Sequence, residues 1–378
     1  MEPELLPPAE KIPTPMQQTA DEVREIAREP RGFDWVLLGP QGLRAGWSML
    51  LFAGLYYLFR LVAGTIFFAA GWVKENSGES VLFMLAVELI PLLALIGAVA
   101  LMSLFEGRRL ASYNLARRHG SRNLFSGAAA GFAALSALVL MLVAGGWMHM
   151  GAATIAVPEA LRFAALWGCV FLAVGLVEEG LFRCYALSTL ARGINFWWAL
   201  AAEIILCLLL LLGGGGNGAW GVYAIAALGV IPCFVLWKKS APRSGGFWQA
   251  AWVTSTVFGF YHTSNGGENW VGIFAAAAIG FVFCVSVRLT GSAWWAIGCH
   301  AAWDWAETFF YGTADSGMRG KGHFLSAAPV GNPLWSGGAD GPEGSLLVLG
   351  AIFLLVLILL LFYRRKRSVA PATEPVAN

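Results

Sequence analysis

The fold is decided by one long apolar stretch with three charges in its interior, RFAALWGCVFLAVGLVEEGLFRCYALSTL (residues 162–190). The stretch is long enough to cross a bilayer as a helix, for which about 20 apolar residues suffice. Glu178, Glu179 and Arg183 lie within it. Charged side chains inside a membrane helix are costly, and they usually pair with other polar groups and serve a function. The stretch therefore predicts a membrane helix whose charged residues have partners elsewhere in the chain.

The composition of the whole chain is that of a membrane protein. Of its 378 residues, 58% are hydrophobic and 13% are charged, about half the charged fraction of soluble domains. Apolar runs of bilayer length recur along the chain, so we expect an all-α, polytopic transmembrane helical bundle with about ten spans. The predicted spans are 47–73, 81–105, 126–150, 162–190, 194–212, 219–237, 247–264, 270–289, 293–312 and 345–363.

Lysine and arginine are unevenly distributed between the loops. If the N-terminus is inside, the inner segments hold eighteen of these residues and the outer segments hold four. Since positively charged loops stay in the cytoplasm, we predict that both termini are cytoplasmic. The N-terminal residues lack a basic region followed by an apolar core, so we expect no cleavable signal peptide.

The same patterns divide the chain into five parts. We predict a polar cytoplasmic tail (1–46), N-terminal transmembrane helices (47–159), a core that carries the chemistry (160–312), a Gly-rich outer loop (313–344), and a last span with a basic cytoplasmic tail (345–378). Long loops in compact proteins are either functional or disordered. The aromatic residues of the Gly-rich loop favour a folded cap over the outer mouth.

Other polar residues in the apolar runs have ordinary explanations. Arg60 could reach the interface or pair with Glu88, and Glu203 could face either the site or another helix. The cysteines lack disulfide or zinc spacing, and we interpret them as small buried hydrophobic residues. They are Cys169, Cys184, Cys207, Cys233, Cys284 and Cys299.

The first motif is Glu178-Glu179-Gly180-Leu181-Phe182-Arg183. Residues four apart share a helix face, so Glu179 and Arg183 are predicted to form an ion pair. Glu178 then points about 100° away and is free to act as a general base. The alternative is that both glutamates only join helices to one another.

Two histidines stand in the second and third motifs. Phe258 and His262 share a face, so the phenyl ring can orient the imidazole. His300 and Asp304 also share a face and can point at a common ligand, with Glu307 nearby. Taken alone, His262 could be an interfacial residue, and the His–Asp pair could be a structural hydrogen bond.

Glu178, His262, His300 and Asp304 come from three predicted helices and could meet in one polar pocket. Such a pocket fits hydrolysis, with Glu178 as the base and the other groups steadying the oxyanion and the leaving group. The helix depths conflict, however. A helix that starts near Trp248 reaches His262 after about 20 Å, whereas His300 lies only about 10 Å into its helix. The first of these helices must therefore start at or below the interface, or tilt.

In this order on membrane helices, the three motifs resemble those of the CPBP family, also called the ABI family. That family includes CAAX prenyl endopeptidases and bacteriocin-processing enzymes. The resemblance covers about residues 160–312, less than half of the chain. It implies an intramembrane endopeptidase of a membrane-associated protein or peptide.

The resemblance also implies roles for the catalytic residues. Glu178 and His262 would activate water, while His300 and Asp304 would stabilise the oxyanion. The supporting residues would be Glu179, Arg183 and Phe258. Asp304 departs from the asparagine usual in prenyl-protein proteases, and an ionised aspartate cannot donate a hydrogen bond. Asp304 must therefore be protonated, bind a metal or orient His300.

The cofactor and the partners follow from the same considerations. Glu178, His262 and His300 could hold Zn²⁺ in a metallo-endopeptidase, because two histidines and one carboxylate leave an open position. Family members are described both as metalloproteases and as glutamate-dependent enzymes, and we favour water activation without a metal. We expect a peptide or membrane-protein substrate, the lipid bilayer and no nucleic acid as partners, in a bacterial inner membrane. The alternatives are a non-catalytic scaffold or immunity protein and a proton-coupled transporter.

Overall fold

The computed structural model of the protein describes residues 34–39, 42–73, 80–212 and 246–363. The predicted span at 219–237 lies outside the described residues, as do most of the N-terminal tail and the basic C-terminal tail. The described part of the chain is mainly helical, as the sequence predicts.

The long helices are numbered here in chain order. They are α1 (Ala45–Ala69), α2 (Val81–Phe105), α3 (Gly120–Ala144), α4 (Val157–Leu190), α5 (Phe196–Leu212), α6 (Phe247–His262), α7 (Trp270–Thr290), α8 (Trp294–Trp305, continued by a π-helical turn at Ala306–Tyr311) and α9 (Val348–Tyr363). Helix α4 also contains a π-helical turn, at Gly180–Ala186. Short helices occupy Asp34–Leu37, Leu110–Tyr113, Pro333–Ser336 and Pro342–Gly344. Two antiparallel strand pairs join Leu38–Gly39 to Gly42–Leu43 and Met148–Met150 to Ala327–Pro329.

Five helices are long and apolar enough to cross a membrane, namely α1, α2, α3, α4 and α7. Helices α5 and α9 are also apolar but shorter. Each predicted span within the described residues overlaps a helix, while the total of ten and the orientation stay predictions. The third helix runs from Gly120 to Ala144 rather than over 126–150, because Met148–Met150 pairs as a strand.

The close packing of α3 against α8 depends on glycines. A Cβ atom added to Gly127 or Gly131 would lie 2.1 Å from a backbone carbonyl oxygen of α8, that of Trp295 or of Cys299. A Cβ atom on Gly298 would lie 2.0 Å from the carbonyl oxygen of Leu124. Small residues spaced four apart let membrane helices approach backbone to backbone in this way. This contact fixes α8, and with it the third motif.

The Gly-rich segment 313–344 is folded against the end of α8. The backbone N–H groups of Phe324 and Leu325 donate to carbonyl oxygens of the π-helical turn of α8. Trp335 stacks on Trp147 with 6.0 Å between the ring centroids. Gly317 has φ +83°, a conformation that residues with a Cβ rarely adopt, and it approaches the backbone of the α6–α7 turn. The segment is thereby held on the ends of several helices.

The interpretation of the cysteines as buried residues is partly wrong. Cys184, Cys284 and Cys299 are buried, but Cys207 is only partly buried. Cys169 is exposed because its face of α4 is not covered by the described residues. Cys233 lies outside them.

Candidate active site

The first motif lies where α4 changes its helical geometry. Glu178 and Glu179 end the regular α-helical part, and the π-helical turn begins at Gly180. In that turn the N–H of Leu187 donates to the carbonyl of Phe182, five residues earlier. A Cβ atom at position 180 would lie 2.4 Å from Leu95 of α2, so glycine permits the close approach of the two helices. π-Helical turns are rare and are frequent at functional sites.

Glu179 and Arg183 form the predicted ion pair. Arg183 Nε lies 3.2 Å from Glu179 Oε2, and both side chains are fully buried. The contact lacks good hydrogen-bond alignment, and the guanidinium also packs 4.2 Å above the ring of Phe258. Gly280 of α7 makes room, since a Cβ there would lie 2.5 Å from the guanidinium. Arg183 is thus stabilised by one carboxylate and by aromatic faces.

His300 joins the third motif to both glutamates of the first. Its Nδ1 lies 2.9 Å from Glu179 Oε1, and its Nε2 lies 3.7 Å from Glu178 Oε2 and 3.5 Å from Asp304 Oδ2. The ring stacks on Phe283, with 5.9 Å between the centroids. Both ring nitrogens therefore face carboxylates, and an imidazolium would find an acceptor on each side.

His262 is held by its own helix. Its Nδ1 lies 2.8 Å from the carbonyl oxygen of Phe258, which can only accept, so Nδ1 carries the proton. The Phe258 ring meets the imidazole edge to face at 4.7 Å, as the shared helix face predicts. The remaining nitrogen, Nε2, is left available as an acceptor or a ligand.

The four residues predicted to be catalytic line one cavity of about 510 Å³. Glu178, His262, His300 and Asp304 all contribute to its wall. The side chains of Glu178, His300 and Asp304 keep 19%, 12% and 9% of their surfaces exposed, so each still presents an open face. The structure therefore brings together the acid, the two imidazoles and the aspartate of the three motifs.

The conflict over helix depth is resolved by the start of α8 and not by that of α6. The N–H of Gly246, just before α6, donates to the carbonyl of Ala191 at the end of α4. The N–H of Ala293, just before α8, donates to the backbone carbonyl of Asn114. The side chain of Asn114 in turn donates to the Arg183 carbonyl at 2.7 Å. Arg183 lies eight residues before Ala191, which corresponds to about 12 Å of helix. Because α8 begins that much deeper, His300 and His262 reach the same cavity.

Two details of the first motif were not predicted. Glu179 was expected to pair with Arg183, and its second oxygen also contacts His300. Glu178 lies on a different face of α4, as expected, yet it approaches the other nitrogen of the same imidazole. Both glutamates reach one ring because α8 packs across the end of the α-helical part of α4.

The cavity wall also contains charged residues that the motifs did not indicate. They are Arg60 of α1, Glu88 of α2, and Asp315, Arg319 and Glu343 of the Gly-rich segment. Arg60 and Glu88 were noted in the sequence as membrane charges, and that was the only signal for them. The other three lie in a loop with no periodicity. Glu203 neighbours Thr256 of α6 and does not line this cavity.

A separate group of carboxylates lies beside the site. Among the described residues, the one set of three potential metal ligands whose donor atoms all lie within 4.8 Å of one another is Glu307, Asp315 and Glu343. Burial raises the pKa of Asp315 well above its ordinary value, and nearby carboxylates add to this. Burial likewise raises the pKa of Glu343, although His262 opposes the shift. The predicted zinc ligands, including His262, are not gathered as closely.

Part of the chain matches a known protein family. Residues 235–306 match the family model described as type II CAAX prenyl endopeptidase Rce1-like. The matched region contains the second and third motifs, but the first lies outside it. No curated protein and no solved structure matches the chain. The apolar helices together with this family indicate an integral, multi-pass membrane protein.

The match agrees with the family resemblance of the three motifs. It thereby supports membership of this chain in the CPBP family of CAAX-type proteases.

Proposed function

We propose that this protein is an intramembrane endopeptidase in which Glu178 and His262 activate water to cleave a membrane-associated protein or peptide. The observation that carries the proposal is the convergence of all three motifs on one cavity, with Glu178, His262 and His300 in its wall. A bacterial inner membrane is the proposed location.

Glu178 is suited to be the base. The 3.7 Å from its Oε2 to His300 Nε2 is too long for a direct hydrogen bond, and this oxygen has no hydrogen-bond partner among the described residues. A water held between Glu178 and the free Nε2 of His262 can lose a proton to the carboxylate while its oxygen attacks the peptide carbonyl. The same carboxyl group can then pass the proton to the departing amine.

His300 is suited to stabilise the oxyanion. With Nδ1 held by Glu179 at 2.9 Å, the Nε2 side of the ring points toward Glu178 and the cavity. A protonated Nε2 can donate to the negative oxygen of the tetrahedral intermediate. Asp304, 3.5 Å from Nε2, fits the third of its possible roles, which is to orient this ring.

The cavity has the lining that a membrane-associated substrate requires. Apolar side chains of α4, including Val174 and Leu181, form one wall, and Met84 of α2 extends it. Arg60 and Arg319 place positive charge on the same cavity, and the acids Glu88, Asp315 and Glu343 also line it. An extended peptide with an apolar neighbouring group suits this combination of apolar and polar lining.

The donor types of the site also suit zinc, although their atoms are not gathered as closely as those of the carboxylate group beside them. His262 and His300 each have Nδ1 against an oxygen acceptor, as is typical of metal-binding histidines, and Nε2 toward the cavity. A bound zinc ion would supply a more acidic water. In that case Glu178 would serve as a third ligand or as the base beside it.

The test is cleavage of a peptide library by the purified protein in liposomes. We expect Glu178→Gln and His262→Ala to lower kcat by about 10²- to 10⁴-fold. Glu203→Gln is the matched control, because it neutralises another glutamate of the apolar helices away from this cavity. Unchanged cleavage in both site variants would refute the mechanism, whereas the absence of any cleavage by the wild type would favour a non-catalytic scaffold. Loss of proton-coupled flux in those variants, without any cleavage in the wild type, would favour transport.

Metal content and chelation separate the two forms of the mechanism. Activity that survives chelation in a zinc-free preparation would support water activation by Glu178 and His262 alone. Activity that is lost on chelation and restored by Zn²⁺ would support the metallo form.

A further inference from the structure

Three carboxylates meet at the end of α8, where the two ends of the Gly-rich segment also lie. Glu307 belongs to the π-helical turn of α8, and Asp315 and Glu343 lie near the two ends of the Gly-rich segment. One oxygen from each lies within 4.8 Å of the others. Residues far apart in the chain are thus brought to a single point.

The polar contacts of this group leave it undersupplied with donors. Glu307 is fully buried, and neither of its carboxylate oxygens has a hydrogen-bond partner among the described residues. Asp315 Oδ2 accepts from Thr308 at 3.1 Å, and Glu343 accepts from Trp303 Nε1 at 2.7 Å and from Ser316 Oγ at 3.4 Å. A buried carboxylate without a donor is costly and requires either a proton or a cation. Glu307 is aimed into the cluster and provides the observation, independent of the clustering, that points to a bound ligand.

The atom types and the number of carboxylates select the class of cation. All three ligands are carboxylates, which suit hard cations and not zinc. Calcium accepts about six to eight oxygen ligands in a flexible geometry, whereas magnesium demands a near-ideal octahedron and is usually held by one or two carboxylates. Three protein carboxylates therefore favour Ca²⁺. Asp315 and Glu343 also line the large cavity, from which water can complete the coordination shell.

We propose that Glu307, Asp315 and Glu343 form a binding site for Ca²⁺ that fastens the Gly-rich segment to α8. The ion joins both ends of the segment to the helix that carries the third motif. The site uses no residue of the proposed water-activating group, and it stands whether or not the chain is a protease. The buried charge of Glu307 is then neutralised by the ion.

Terbium luminescence tests the site directly in the purified full-length protein. Tb³⁺ replaces Ca²⁺ and emits when a nearby tryptophan is excited, and the indole of Trp303 contacts Glu343 at 2.7 Å. We expect saturable emission that Ca²⁺ displaces, and that Asp315→Asn and Glu307→Gln abolish. Glu159→Gln, at an exposed position of α4, is the control and should bind like the wild type.

Thermal unfolding gives a second readout. Saturating Ca²⁺ should raise the Tm of the wild type by about 2–6 °C and should leave the Tm of Asp315→Asn unchanged. If the acidic variants fail to fold, Trp303→Phe decides, because it should reduce the emission while the Ca²⁺-dependent rise in Tm persists.

Three results would overturn the proposal. The first is a wild-type protein that shows neither displaceable Tb³⁺ emission nor a Ca²⁺-dependent rise in Tm. The second is binding of Tb³⁺ by Asp315→Asn and Glu307→Gln that equals binding by the wild type. The third is displacement of Tb³⁺ by Mg²⁺ but not by Ca²⁺.

Discussion

Removal of the charges of Glu179 and Arg183, singly and together, tests the ion pair that organises the site. At the observed 3.2 Å, two unit charges attract by about 5 kcal/mol at an effective dielectric constant of 20. Both side chains are fully buried, so water cannot replace a lost partner. Glu179→Gln leaves the Arg183 cation without a counter-charge, and Arg183→Met leaves the Glu179 carboxylate with only its contact to His300. Each should therefore lower the free energy of unfolding by about 3–5 kcal/mol.

The double variant should be more stable than either single variant. It removes both charges and loses mainly the contacts of the guanidinium with aromatic rings, which are worth about 1–2 kcal/mol. The coupling free energy should therefore be at least about 3 kcal/mol. Glutamine at position 179 keeps an oxygen that can accept from His300, so the cycle isolates the pair with Arg183.

The assay is equilibrium unfolding of the four proteins in mixed micelles, followed by tryptophan fluorescence. We expect the Arg183→Met defect to be rescued largely by adding Glu179→Gln. If the two single effects sum to the double effect within about 0.5 kcal/mol, the two charges do not interact, and the account of the first motif is refuted.

Three further outcomes follow from the packing and the charges. Gly131→Ala places a Cβ 2.1 Å from a carbonyl oxygen of α8 and should lower the free energy of unfolding by about 1–3 kcal/mol. The control Gly54→Ala has open space around the new Cβ and should be neutral or stabilising. Equal effects of the two substitutions would contradict the packing of α3 on α8. Burial raises the pKa of Glu268 to about 9 and that of Asp340 to about 8, so the stabilisation they contribute is full below their unfolded values of 4.5 and 3.8 and is lost as the pH rises through 8–9. The Tm measured in chelator should fall over that range, and Asp340→Asn should make the fall shallower. Phe258→Leu removes the ring that orients the second-motif histidine and should lower kcat about tenfold with little change in KM, so an unchanged kcat would contradict that role.

The sequence was informative wherever a contact is local along a helix. The spacing of four residues predicted that Glu179 meets Arg183, and the structure contains this pair. The same spacing predicted that Phe258 packs on His262 and that Asp304 lies on the side of its neighbouring histidine. These contacts follow from the geometry of one helix and need no knowledge of the rest of the fold.

Contacts between distant segments could not be predicted in this way. Glu179 meets His300 because glycines set the distance of α3 from α8 and because α8 starts at the depth of Asn114. Neither the backbone approach nor the depth leaves a periodic signal. Glu343 reaches the cavity from a Gly-rich segment whose path depends on turns with positive φ, as at Gly317. Its arrival beside the site is a tertiary effect.

The two π-helical turns determine where the helices can lose a residue without rotating the rest of the helix. Gly180–Ala186 follows directly on the glutamate pair, and Ala306–Tyr311 follows on the third motif. Each such turn accommodates one residue more than a regular helix over the same rise. A deletion of one residue in Gly180–Ala186 would convert the turn to regular α-helix and leave the glutamates and the downstream helix close to their present positions. A deletion in the preceding α-helical part would instead rotate the acids by about 100° relative to the residues before it. An alignment gap at the turn between two related chains would thus mark the loss of the π-helical geometry alone.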